Sequence, residues 1–62
     1  MITFAQRTPA EQDIIRKAYD FEVMAIANSD SSRNPYYDAI KAMDEGDAVW
    51  EGINVALELA LN

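Results

Sequence analysis

A chain of 62 residues with neither cysteine nor histidine has to hold itself together by side-chain packing alone. Domains this small bury only about 60% of the surface that their unfolded chain exposes, and the usual reinforcements are disulfides, a metal or self-association. Without thiols the first is gone, and without imidazole or thiolate the common zinc, copper and iron sites lose their ligands. Helix packing and oligomerisation are left. Half of the residues are hydrophobic and the net charge is −6, a balance that folds rather than stays disordered. The expectation is a single small helical domain over residues 1–62, with no cofactor and no structural metal.

Two start signals divide the chain. In Thr8-Pro9-Ala10-Glu11 the threonine hydroxyl can accept from the third backbone N–H while the glutamate reaches back to the threonine amide. Proline at the first helical position gives up a donor that has no partner there anyway. The apolar residues Ile14, Ile15, Ala18, Phe21, Ala25 and Ile26 then recur at spacings of three and four, which predicts an amphipathic helix over about 9–28. Asp13 four residues before Lys17 is the favourable order for an exposed ion pair. Ser29 to Arg33 reads as a polar loop. Asn34-Pro35 repeats the cap-plus-proline signal and predicts a second helix over about 35–45, ended by Gly46. Asp47 is the expected cap of a third helix over about 48–61. Met1 to Arg7 is expected as a short extended arm laid over the core. The predicted fold class is therefore all-α, a small three-helix bundle.

The third helix departs from the ordinary amphipathic pattern. Its polar residues Asp47, Glu51, Asn54 and Glu58 stack as one narrow stripe, and most of the remaining circumference is apolar. Such a helix is either central in a core or covered on two sides. This makes Trp50, Ile53, Leu57 and Leu61 the candidates for self-association, if helix one and the arm do not cover them within the monomer. Gly52 lies inside this helix, where glycine costs about 1 kcal/mol relative to alanine. With Ala48 and Ala56 one turn to either side, it predicts a close approach of another backbone.

Charge is distributed unevenly. Residues 42–62 hold five carboxylates, Asp44, Glu45, Asp47, Glu51 and Glu58, and no base, while residues 1–41 hold six acids and all five bases. An acidic chain is repelled by nucleic acid and by anionic membranes, so a charged partner is expected to be a protein with a basic surface. Arg33, Tyr36 and Tyr37 add residue types enriched among interface anchors. No stretch approaches the roughly 18 apolar residues of a membrane span, and the opening residues do not resemble a secretory signal, so the expected location is the cytoplasm.

Catalytic chemistry is thinly represented. Without histidine a nucleophile would need a carboxylate or one of the two lysines, Lys17 and Lys41, and a serine–lysine pair requires a buried lysine of lowered pKa. The serines at 29, 31 and 32 sit in one polar loop. Asp44, Glu45, Asp47 and Glu51 invite a calcium reading but lack the alternating ligand spacing of an EF-hand. Two isolated glycines make no phosphate loop. The chain is thus expected not to be an enzyme. The leading expectation is an acidic protein–protein interaction module, a stoichiometric inhibitor that occupies a basic or mixed surface. That surface could belong to a nucleic-acid-binding protein, with carboxylates standing in for phosphates. Phage-encoded antagonists of host or defence machinery, anti-CRISPR proteins among them, share this size and charge, an analogy without a matched motif. Such a viral protein would act in the host cytoplasm. The alternative, from another class, is an assembly protein whose third helix builds a homodimer.

Overall fold

Thr8 opens the longest helix as its sequence requires. In the structure, a computed structural model that describes residues 1–61, its hydroxyl accepts from the Glu11 N–H and the Glu11 carboxylate accepts from the Thr8 N–H, both at 3.2 Å. Helix α1 spans Pro9–Ala27. It ends in a Schellman arrangement: the Asp30 N–H donates to Ala25 O at 2.7 Å and the Ser29 N–H to Ile26 O at 3.2 Å, with Ser29 in the left-handed region at φ 53°. The Asp13–Lys17 pair forms at 2.8 Å.

Helix α2 is shorter than the sequence suggests, five residues over Tyr37–Lys41. Asn34 does not cap it. The Asn34 carbonyl accepts from the Tyr37 N–H at 3.1 Å, so Pro35 and Tyr36 form a turn, and the Asn34 side chain points at α1. After Lys41 the chain tightens into three-residue steps, Met43 N–H to Ile40 O and Gly46 N–H to Met43 O, both at 3.0 Å. This ends the helix before residue 45.

Helix α3 spans Gly46–Leu61, two residues earlier than expected. Gly46 therefore begins this helix instead of terminating the previous one, and Asp47 lies inside its first turn. The left-handed residue at the junction is Glu45, φ 56°. Gly46 is required for space: a Cβ there would lie 2.3 Å from Ile40 O and 2.8 Å from Lys41 O. Only a bare Cα lets α3 start directly beneath the end of α2.

The amino-terminal arm is wound, not extended, with a 3₁₀ turn over Phe4–Gln6. It fastens both long helices at one end. Arg7, 6% exposed, donates to Asp44 O at 2.7 Å, and the Ile2 N–H donates to the Glu45 carboxylate at 2.9 Å. Gln12 of α1 returns two bonds to the Phe4 and Arg7 carbonyls. Since Arg7 precedes α1 and Asp44 precedes α3, the two helices set out from the same end of the molecule.

Ala18, Ile40, Ile53 and Leu57 meet in the centre, and among the described residues Ile40 is the only large side chain fully enclosed. Ile14, Met43, Val49 and Trp50 pack around them half-buried. The accessible surface is 4342 Å², above the roughly 4,000 Å² that a folded 7-kDa monomer presents on average.

Candidate interaction surface

The five acids of the carboxyl-terminal third are all exposed and differ in what they touch. Asp47 forms a hydrogen-bonded ion pair with Lys41, and that bond raises the lysine above its ordinary pKa. Glu45 is engaged with the arm through Ile2. The Asp44 carboxylate is exposed, while its backbone carbonyl anchors Arg7. Glu51 and Glu58 are exposed and make no side-chain hydrogen bond or ion pair among the described residues. Four of the five bases, Arg7, Lys17, Arg33 and Lys41, are paired with acids. The net charge of −6 therefore resides on unpaired carboxylates, with Arg16 the one base outside an ion pair among the described residues.

Arg33 and Tyr37 come together around the Tyr37 ring. Arg33 pairs with Asp38 at 2.7 Å and lies 5.0 Å above the Tyr37 ring. Lys41 approaches the same ring at 5.9 Å, and the ring meets Trp50 edge to face at 5.2 Å and 85°. Tyr36 packs on the core. Both tyrosines are half-buried. The cluster is the seam between α2 and α3.

The residues assigned to self-association divide in the same way. Ile53 and Leu57 are buried inside the monomer, Trp50 is half-buried against Tyr37, and only Leu61 is open, at 61% exposure. The open apolar side of α3 lies elsewhere, at Val55 and Leu59, 48% and 75% exposed, beside Ala48, Gly52 and Ala56.

There the structure holds a groove that sequence reasoning does not single out. It has a volume of about 600 Å³ and runs between the arm, α1 and α3, within the 300–1,000 Å³ range of ordinary binding clefts. Ile2 and Phe4 close one part of it, Ile15 and Tyr19 form the α1 side, and Val49, Gly52 and Ala56 the α3 side. Arg16, Asp20 and Glu45 supply polar lining, and the Arg16 guanidinium sits 5.2 Å over the Phe4 ring. The sequence carries one signal for it, the row Ala48, Gly52, Ala56. The expected close backbone neighbour of Gly52 is absent from the monomer: a Cβ there would meet nothing within 4 Å.

Lys17 and Lys41 are raised in pKa by hydrogen bonds to Asp13 and Asp47, the opposite of what a serine–lysine pair requires. The loop serines are exposed, and Ser32 is tied to Asp30. Among the described residues no three metal-ligating side chains converge, and no helix is long and apolar enough to cross a membrane. Compared with protein-family models, with curated proteins and with solved structures, the chain matches none.

Proposed function

We propose that this protein is an interaction module that acts by holding an apolar segment of a partner polypeptide in the groove between the arm, α1 and α3. One observation carries the reading. In a chain whose central cluster is Ala18, Ile40, Ile53 and Leu57, an apolar groove of about 600 Å³ stays open, and exposed apolar surface of that kind marks association sites. The arm adds support, because Arg7, Gln12 and Glu45 take part in four hydrogen bonds that fix the wall of that groove. Action is stoichiometric: the module masks what it binds. The unpaired acids direct it to a protein with basic character. The nearest analogy in size and charge is to phage-type antagonists of nucleic-acid machinery, anti-CRISPR proteins among them, working in the host cytoplasm.

The test compares capture from the native host's lysate by the immobilised protein and by Gly52→Leu, which fills the groove from an exposed helix position. Circular dichroism first establishes that both fold alike. A partner retained by the parent and lost by the variant supports the reading; identical capture by both, or none, rejects it. A second reading, the homodimeric bundle, draws on the exposure of Leu59 and Leu61. Sedimentation that shows a monomer at high concentration rejects that one.

A further inference from the structure

We infer that the groove takes an amphipathic helix about three turns long with basic residues on both flanks, an inference that rests on the interaction-module reading above. The shape of the groove specifies a helix. Ala48, Gly52 and Ala56 recur once per turn along α3 and are all exposed, so the floor has almost no side-chain height. Another helix can settle there near the short end of the usual 8–10 Å interaxial range. From Ala48 to Leu59 the open apolar face of α3 runs about 16 Å, at about 1.5 Å per residue. An extended peptide would need a sheet edge to add to, and the described residues include no strand. Tyr19 and Ile15 offer one apolar wall, and the exposed Val55 borders the open face of α3 on the other side.

Charge specifies the flanks. Asp20 and Glu45 border the α1 and arm side. On the helical wheel of α3, Glu51 and Glu58 lie just beyond Val55, on the opposite border. Among the described residues that line the groove, only Arg16, already stacked on Phe4, stands against these four acids, because Arg7 is buried against Asp44 and Glu11. Potentials of this form attract a ligand with lysine or arginine on either side of its apolar stripe. A second copy of this chain is a poor occupant. It carries the same charge of −6, and a strip three turns long and one helix wide amounts to a few hundred square ångströms, below the roughly 800 Å² that each partner buries in a standard interface.

The test uses three labelled peptides of about fourteen residues, near four helical turns. One has leucine on a single helical face and lysine elsewhere, the second replaces every lysine by glutamate, and the third is the lysine peptide interrupted by a central proline. Fluorescence anisotropy with the intact protein should show the lysine peptide binding at least about tenfold tighter than either of the others. Gly52→Leu should weaken it about tenfold or more, and Glu51→Lys with Glu58→Lys should weaken it while improving the glutamate peptide. Equal binding of the lysine and glutamate peptides overturns the basic flanks and leaves the interaction module standing. Undiminished binding of the proline peptide, or indifference to Gly52→Leu, shows unspecific charge attraction and overturns the helical occupant. If no peptide binds and the protein sediments as a dimer that Gly52→Leu dissociates, a second copy is the occupant and the inference fails. If no peptide binds to a monomer that also captures nothing from lysate, both readings fail.

Discussion

The carboxamide of Asn34, itself 5% exposed, donates to the carbonyl oxygen of Ala18, which is fully buried in the middle of α1, at 3.0 Å. The same amide donates to the Glu22 carboxylate at 3.1 Å, and its oxygen accepts from the Tyr36 N–H at 2.9 Å. One side chain thus locks the α1–α2 connection onto the core. Asn34→Ala should cost about 2 kcal/mol, since it leaves a part-buried Tyr36 donor unmatched. Asn34→Asp should cost more at neutral pH, where a second carboxylate would face Glu22 and the Ala18 carbonyl, and should recover in part on acidification. Urea denaturation of both variants at pH 7 and pH 4 checks the order; an aspartate variant as stable as the parent at neutral pH contradicts it.

The two glycines of α3 should respond in opposite directions to the same change. Gly46→Ala drives a methyl into the Ile40 and Lys41 carbonyls and should destabilise by about 1–3 kcal/mol, the range of overpacked sites. Gly52→Ala meets nothing within 4 Å and should stabilise by up to about 1 kcal/mol through helix propensity alone. Thermal melts of the two single variants decide it, and a destabilised Gly52→Ala would mean that α3 is packed differently.

Asp30 provides a pH test of the loop. Ser32 donates to its carboxylate first through the hydroxyl, at 2.6 Å, and then through the backbone N–H, at 2.9 Å. Both bonds favour the ionised form and hold Asp30 below the ordinary carboxylate range. A carboxyl with a lowered folded-state pKa contributes stability at pH values above its unfolded pKa. That contribution is lost as the pH falls through the folded-state value. The loop bonds should therefore persist at neutral pH and release in acid. A carbon-detected NMR titration should place Asp30 below its value in Ser32→Ala; coincident curves would remove the Asx turn from the loop.

How much of this was legible beforehand follows from the range of the interactions involved. The capping box at Thr8, the Asp13–Lys17 pair and the exit of α1 near residue 28 depend on neighbours within one turn, and spacing alone reveals them. Asn34 carries a local cap signal, yet its bonds go to Ala18 and Glu22, 16 and 12 residues away. Gly46 likewise reads as a helix stop until the carbonyls of Ile40 and Lys41 are placed against it. The groove joins Ile2 to Ala56 through the fold of the arm, and the arm is fixed by Arg7 and Glu45 at separations near 40 residues. Periodicity within one helix carries no information about such pairings.

Asp47 and Glu51 separate stability from recognition. They stand four residues apart on the exposed face of α3, an arrangement in which like charges repel by a few tenths of a kcal/mol and an acid followed by a base attracts by as much. Glu51→Lys turns the repulsion into an attraction, so the helix should gain slightly in stability. The Lys41–Asp47 pair is left in place. The same change removes an acid from the border of the groove and should weaken a basic ligand there, an effect that shrinks as added salt screens the exposed charges. A variant that melts at or above the parent's temperature yet binds the lysine peptide more weakly at low salt assigns Glu51 to the partner. If melting and binding fall together, the residue belongs to the fold and the charge argument loses that flank.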